Sequence, residues 1–256
     1  MKKDFVLCFS GLGRSINYTF ENIQRNLIDD LEPKQIFLVT EDQKYLNELI
    51  KLFSIYPNLT YKIVKKINKV DESLTFDKRW GPKHNKLNYL NFLYKRFELS
   101  KLIKKNIELS DAEKFTYVYS RLDVAYKFPL SPQIKNINIK KKVYLPNFHH
   151  WLGGYNDRFA IANFKNFLTY LEIYKHLKKY NTTVDLHSEI ITRHHFKQKK
   201  LKLGVIRFPF SRVRENGELY DNFDEFSGRL MYPLHAYKHI YKESTLDSLK
   251  LIFNKK

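Results

Sequence analysis

The chain has 256 residues, 43% of them hydrophobic, and its 46 basic against 27 acidic residues give a formal net charge of +19. This length allows one large domain with a sizeable core, and no run approaches the roughly 20 apolar residues of a membrane-spanning helix. The charge indicates an anionic partner such as nucleic acid, a nucleotide phosphate or an anionic membrane surface, unless it only reflects a lysine-rich composition typical of AT-rich genomes. A single cysteine, Cys8, excludes an internal disulfide and, lying in an apolar run, is expected in the core of a protein from a reducing compartment.

Strand and helix patterns alternate along the first quarter of the chain. Short apolar runs predict strands at residues 5–9, 35–39 and 59–64, and helical spacing predicts helices at residues 16–31 and 43–56. Because strand–helix–strand units join parallel neighbours by right-handed crossovers, this alternation predicts a mainly parallel sheet flanked by helices.

The turn after the first strand carries two glycines. Residues 10–15 read Ser-Gly-Leu-Gly-Arg-Ser, so backbone N–H groups at a helix start, with Arg14 beside them, could meet a phosphate. The turn matches neither the Walker pattern nor the dinucleotide-binding pattern, and a plain strand-to-helix connection fits the same residues.

The next elements lead to the most abrupt step from apolar to charged residues in the sequence. A long amphipathic helix is predicted from residue 84 to about 107, and one of its basic residues, such as Lys86, could reach a phosphate. A predicted strand at 115–120 then runs directly into Arg121-Leu-Asp123. Side chains two residues apart share one face of a strand, and the carboxyl ends of strands bind ligands in open α/β sheets. The alternative is a surface ion pair beside a turn.

A segment rich in aromatic and glycine residues follows at 147–160. It contains Trp151, Asp157 and Arg158, a composition typical of a binding loop in which aromatic rings stack on sugars, although the aromatics could simply fill the core. A helix predicted at 184–196 carries His187 and Glu189. Beyond it we expect a strand at 203–208, a charged loop at 212–217 and a helical tail from about 234 to 253. Before the aromatic segment, residues 134–142 are expected to form a basic connection exposed to solvent.

Several catalytic classes lack their motifs here. The sequence has no G-x-S-x-G elbow, and His235 and His239 lack the glutamate of H-E-x-x-H. A nucleotide-sugar transferase fits better, since its diphosphate leaving group needs a divalent cation or basic side chains to neutralise it. A second carboxylate would take the proton of the attacking hydroxyl, and Asp157 and Glu189 are the candidates.

Four short motifs, in this order, resemble bacterial and viral glycosyltransferases of the GT-A fold, and most nearly the WavE-like enzymes of surface-polysaccharide synthesis. They are the Ser-Gly-x-Gly-Arg turn at 10–14, Tyr-Ser-Arg-Leu-Asp at 119–123, Asn-Asp-Arg-Phe-Ala at 156–160 and His-Ser-Glu at 187–189. The resemblance implies that Asp123 lies at the donor diphosphate and binds Mn²⁺ or Mg²⁺, with Arg121 at the first position of a D-x-D motif. Arginine cannot ligate a cation, so Asp123 either holds the metal nearly alone or Arg121 and neighbouring bases replace it.

We therefore expect a single glycosyltransferase domain over residues 1–256, of the GT-A-like, Rossmann-like α/β class with a mixed, mainly parallel sheet. Residues 1–130 would form the donor half, and residues 131–256 the acceptor half with the helical tail. The expected donor-binding residues are Ser10, Gly11, Arg14, Lys86, Arg121 and Asp123; the catalytic ones are Asp157 and Glu189; the acceptor-binding ones are Trp151, Arg158 and His187.

The expected reaction transfers a sugar from a nucleotide-diphosphate-sugar donor to a hydroxyl of a glycan or glycolipid. The protein would be cytoplasmic, with possible peripheral contact with an anionic membrane and no nucleic-acid partner. Two alternatives stay open, which are a basic nucleic-acid-binding protein and a non-catalytic sugar-binding member of the same fold.

Overall fold

A computed structural model describes residues 4–79, 85–135, 137–148 and 150–220, with only the backbone described at 151 and 220. Seven strands form one sheet in the order β3-β2-β1-β4-β7-β6-β8. They are β1 (Asp4–Ser10), β2 (Gln35–Glu41), β3 (Leu59–Val64), β4 (Phe115–Ser120), β6 (Val143–Pro146), β7 (Phe159–Ala162) and β8 (Leu203–Ile206). Only β7 runs antiparallel to its neighbours, which confirms the predicted mixed, mainly parallel sheet.

Helices cover both faces of this sheet. They are α1 (Ile16–Ile23), α2 (Asp29–Leu31), α3 (Leu46–Phe53), α4 (Lys86–Asn106), α5 (Leu109–Ala112), α6 (Phe164–Leu171), α7 (Leu177–Asn181) and α8 (Ser188–Gln198). A π-helical turn, Gln24–Ile28, joins α1 to α2, so the predicted helix at 16–31 is continuous with one wide turn. Short 3₁₀ helices lie at Ser131–Ile134, Trp151–Gly153 and Glu172–His176.

The central strands are buried on both faces, as a parallel sheet requires. Side chains of β1 alternate between two cores, so that Leu7 and Phe9 pack with α1 and α3, whereas Val6 and Cys8 pack with α4 and α6. Burial raises the pKa of the Cys8 thiol well above its usual value, which fits the predicted core role. No helix in the described ranges is both long and apolar enough to cross a membrane.

A second, smaller sheet corrects the prediction for residues 212–217. It consists of β5 (Val124–Tyr126), β9 (Phe210–Val213) and β10 (Leu219–Tyr220), all antiparallel. The charged segment predicted as a loop is therefore partly strand, because residues 210–212 pair with β5, Arg212 lying opposite Val124.

Two other predicted elements differ from the structure. The helix predicted from residue 184 begins at Ser188, because the backbone around Leu186 instead pairs with residues 75 and 77. The connection predicted to be exposed at 134–142 buries Ile134 and Ile137 in the core. The helical tail predicted at 234–253 lies outside the described residues.

Candidate donor site

A cavity of about 580 Å³ opens at the edge of the sheet where β1, β2 and β4 end. Because β1 and β4 are parallel neighbours in register, with Phe9 beside Ser120, the turns that follow them meet at this edge. The lining combines the glycine turn, α4, the bend after β4 and the β9–β10 hairpin, and comprises Gly11, Leu12, Arg14, Ser15, Glu41, Asn88, Asn91, Phe92, Lys95, Arg121–Asp123, Arg212–Asn216 and Glu218. The cavity thus takes residues from both predicted halves of the chain.

The glycine turn forms one wall, and the backbone of Gly11 explains why glycine is needed there. Its φ of 151° lies outside the range favoured by other residues, and its N–H donates to the carbonyl of Val39 at the end of β2. Arg14 is exposed and lines the cavity. Ser10 is fully buried and its hydroxyl bonds that of Tyr119 at 3.1 Å, so it supports the turn from beneath and does not line the cavity.

Arg121 and Asp123 form a two-pronged ion pair in the bend between β4 and β5. Nε of Arg121 donates to Oδ1 of Asp123 at 2.7 Å, and Nη2 donates to Oδ2 at 2.6 Å. The guanidinium also lies 5.2 Å from the centroid of the Phe92 ring. Both predicted residues therefore lie together, directly after β4, whose bounds match the strand predicted at 115–120.

The electrostatics of this pair keep both groups charged. Burial alone would raise the pKa of Asp123, but the positive charges of Arg121 and Arg212 outweigh it and hold that pKa well below its usual range. The pKa of Arg121 is raised above its usual value because the carboxylate of Asp123 outweighs the effect of burial.

The side chains around Asp123 are poor ligands for a divalent cation. Both oxygens of Asp123 accept hydrogen bonds from Arg121, and Nη2 of Arg212 lies 4.0 Å from the same carboxylate. No group of three acidic, histidine or cysteine residues capable of holding a metal occurs among the described residues. A cation next to Asp123 would have to break the pair and sit against two guanidinium groups.

Three further cationic residues, Lys95, Arg212 and Arg214, line the cavity. None is among the expected donor-binding residues, although Lys95 lies on the helix from which a basic residue was expected to reach a phosphate. Lys95 on α4 donates to Glu41 at the end of β2 at 2.5 Å, and both side chains are more than nine-tenths buried. Burial lowers the pKa of Lys95, opposed by its bond to Glu41. Arg212 projects from β9, and its Nε is buried with no hydrogen-bond partner among the described residues.

Arg212 is held in place by bonds between the hairpin and the glycine turn. The hydroxyl of Ser15 donates to the carbonyl of Val213 at 2.8 Å, and the N–H of Val213 donates to the carbonyl of Asp123 at 2.9 Å. Burial lowers the pKa of Arg212 to about 10, and the charge of Arg121 adds to this shift against the opposing effect of Asp123. The backbone that carries Arg212 is therefore fixed next to the Arg121–Asp123 pair.

A second cluster of candidate residues lies outside the cavity, next to the backbone of Arg121. Nη1 of Arg158 donates to Oε1 of Glu189 at 3.2 Å and lies 3.5 Å from Oδ1 of Asp157. Nδ1 of His187 lies 3.2 Å from Oε2 of Glu189, and the hydroxyl of Ser188 donates to Oδ2 of Asp157. The four predicted residues of this region thus lie together, but both carboxylates are at most 3% exposed and neither lines the cavity.

The two clusters are connected through the backbone and by charge. The N–H of Arg121 donates to the carbonyl of Arg158 at 3.2 Å, where the bend after β4 meets the start of β7. Burial would raise the pKa of Asp157, but the charges of Arg158 and Arg121 outweigh it and lower the pKa. Asp157 is therefore an ionised carboxylate that shares Arg121 with the cavity.

The segment at 147–160 holds this second cluster by tight packing. A Cβ on Gly154 would lie 2.1 Å from the carbonyl carbon of Glu189, so glycine is required where the segment passes the start of α8. The side-chain amide of Asn156 donates to the carbonyl of Phe148, and Phe148 packs in the core against Phe210. For Phe148, the alternative of core filling is therefore confirmed.

Lys86 lies outside these clusters, whereas Trp151 is described only by its backbone. Lys86, at the start of α4, is exposed, lies 4.9 Å from the Phe76 ring centroid and does not line the cavity; two residues on, Asn88 does. The side chain of Trp151 is outside the described residues. The rule that ligands bind at strand ends could have identified Glu41, the last residue of β2.

Comparison with solved structures identifies the fold. No family model matches the chain, and no curated protein matches it. Among solved structures, the galactosyltransferase LgtC in complex with donor and acceptor sugar analogs superposes with a TM-score of 0.50 at 11% identity, covering 78% of this chain and 73% of that one. The glycosyltransferase GlyE of Streptococcus pneumoniae TIGR4 has a TM-score of 0.45 at 14% identity over 76% of this chain and 43% of its own. The inositol-1-phosphate CTP transferase of T. maritima has a TM-score of 0.46 at 12% identity, with 89% and 96% covered. The chain has the mixed, mainly parallel α/β architecture of the GT-A fold.

Proposed function

We propose that this protein is a glycosyltransferase that uses a nucleotide-diphosphate-sugar donor and acts in surface-polysaccharide synthesis, as the WavE-like motif order suggests. The observation that carries the proposal is the convergence of the glycine turn, Arg14, the Arg121–Asp123 pair and Arg212 on one cavity. Phosphate groups bind well to backbone N–H groups at helix starts and to guanidinium groups in fixed geometry.

The reaction requires cationic groups that stabilise the leaving diphosphate and a base that takes the proton of the acceptor hydroxyl. As the bond between the anomeric carbon and the phosphate oxygen breaks, its electron pair leaves with the nucleoside diphosphate, and cationic side chains of the cavity stabilise that charge. The acceptor hydroxyl oxygen forms the new bond and gives its proton to a carboxylate. Asp157 is our first candidate for this base because the charge of Arg121, which lines the cavity, acts on it in addition to that of Arg158. Glu189 accepts a hydrogen bond from Arg158.

The remaining site assignments are part of the same proposal. His187 and Arg158 would orient Glu189 on the acceptor side, and Trp151 would contact the acceptor glycan. A peripheral encounter with an anionic glycolipid surface is expected from the net charge of +19.

The test is a thermal-shift screen of the full chain against UDP-, GDP-, CMP- and TDP-sugars, followed by measurement of nucleotide release from any donor that stabilises it. We expect one base to raise the unfolding midpoint selectively and the same donor to be turned over. Stabilisation without turnover under any acceptor condition would favour the non-catalytic sugar-binding alternative.

The nucleic-acid alternative rests on the same net charge and predicts a different salt dependence of binding. Binding through phosphate backbones weakens steeply as salt rises, because each neutralised phosphate releases counterions. A salt-titrated assay with single- and double-stranded nucleic acid, run beside the donor screen, separates the two. Tight, steeply salt-dependent binding with no donor preference would contradict the transferase proposal.

A further inference from the structure

Among the described residues, the side chains around Asp123 do not form a ligand set for the divalent cation that the D-x-D comparison leads one to expect. Arg121 donates a short hydrogen bond to each oxygen of Asp123, so a cation on either remaining lone pair would lie beside a guanidinium charge. The other acidic residues of the cavity, Glu41, Glu215 and Glu218, do not complete a site with Asp123; Glu41 is paired with buried Lys95, and Glu215 accepts from Tyr45 at 2.6 Å.

The same region has an excess of arginine held close together. Arg212 lies beside the Arg121–Asp123 pair and reaches the carboxylate only at 4.0 Å, while its buried Nε makes no hydrogen bond among the described residues. Two guanidinium groups that share one carboxylate repel each other, and a bound anion with two or more negative charges would relieve this repulsion. Arg14 and Arg214 line the same cavity and extend the cationic surface.

The side chain of Arg121 and the backbone that carries Arg212 are fixed before any ligand binds. Arg121 is held between Asp123 and the Phe92 ring, and Arg212 is held by a strand that is bonded to both the glycine turn and the bend. Preorganised forks of this kind match the oxygens of phosphate groups and cost little conformational entropy on binding.

Resting on the proposed function, we infer that the donor diphosphate is bound and its leaving charge neutralised by Arg121 and Arg212, without a divalent cation. Asp123 is then a positioning residue that sets the orientation of Arg121. The sequence alone left open whether arginine assists or replaces a metal, and the donor set favours replacement.

The test measures affinity and needs no turnover. UDP, GDP, CDP and TDP are titrated calorimetrically into the full chain in EDTA and again with MnCl₂, and the tightest is compared with its monophosphate. We expect dissociation constants within about threefold with and without metal, and weaker binding of the monophosphate. Arg212→Gln should weaken binding of the diphosphate about 10- to 100-fold in EDTA, as expected for a lost charge-assisted hydrogen bond. Binding of the monophosphate should weaken less.

Arg207→Gln is the matched control, because Arg207 is exposed on the segment before β9 and does not line the cavity. It removes the same charge and should leave every affinity within about twofold. Arg212→Lys, which keeps the charge but loses the paired donors of the guanidinium, replaces Arg212→Gln if that variant has a lowered unfolding midpoint, and it should also weaken binding of the diphosphate.

The outcomes are distinguishable. Diphosphate binding that requires MnCl₂ overturns this inference and leaves the proposed function standing. Equal affinity of wild type and the Arg212 variant in EDTA also overturns it. Absence of binding to any nucleotide, with or without metal, overturns the proposed function and this inference with it.

Discussion

Replacing Arg158 by methionine tests the electrostatics of the buried cluster most severely. Arg158 lies between the carboxylates of Asp157 and Glu189, all three side chains being at least nine-tenths buried. Removing one partner from a buried ion pair typically costs about 3–5 kcal/mol, since the remaining charge stays buried without compensation. We expect a loss near the lower limit, about 3 kcal/mol, because Arg121 and Arg96 still act on Asp157.

The loss should also depend on pH. In the wild type the pKa of Asp157 lies below its usual value, so its contribution to stability is present at neutral pH and is lost as pH falls through the folded-state pKa. Without Arg158 that pKa rises, and the carboxyl group takes up a proton at higher pH. The difference in the free energy of unfolding between variant and wild type should therefore be about 1 kcal/mol or more smaller at pH 4.5 than at pH 7.

Urea denaturation followed by circular dichroism at the two pH values measures this difference. The matched control is Arg79→Met, which removes an exposed arginine from its pair with Asp77 and should cost at most about 1 kcal/mol at either pH. A loss below about 1 kcal/mol for Arg158→Met at pH 7, or one that grows in acid, would refute the reasoning.

Two further variants probe the packing of the site. Gly154→Ala places a Cβ 2.1 Å from the backbone of Glu189 and should lower the free energy of unfolding, measured by urea denaturation, by about 1–3 kcal/mol or more. Gly13→Ala, whose Cβ would have its nearest contact at 3.2 Å, should cost less. Equal losses in the two variants would argue against the close approach at Gly154. Lys95→Met and Glu41→Met should each destabilise by about 3–5 kcal/mol in the same assay, and the double variant should recover most of that loss. Additive losses in the double variant would show that the pair is not coupled.

Much of the fold could be predicted because its signals are local. The apolar runs of β1, β2 and β4 and the helical spacing of α1 and α4 lie within short stretches of sequence, and their alternation limits the topology to a mainly parallel sheet. The adjacency of residues 10–15 and 121–123 followed from the strand-end rule, since parallel strands end at one edge.

The differences arise where long-range contacts override local pattern. Residues 184–187 have a helical pattern but are drawn into backbone bonds with residues 75 and 77, and Arg212 lies in a strand only because β9 pairs with β5. The sequence places Arg121 two residues from Asp123, but it cannot reveal that the bend directs both prongs of the arginine onto the carboxylate. The roles assigned to Asp157, Glu189 and the donor-binding residues stay predictions.

The central claim is that the Arg121–Asp123 pair orients the diphosphate of a nucleotide-sugar donor. Its most direct test is the rate of nucleoside diphosphate release in Asp123→Asn against wild type, with Asp111→Asn, at a partly exposed surface pair with Lys114, as the control. Loss of the second oxygen acceptor frees one prong of Arg121, so we expect turnover to fall about 100-fold or more in Asp123→Asn and to stay unchanged in the control. Full turnover by Asp123→Asn would contradict the account.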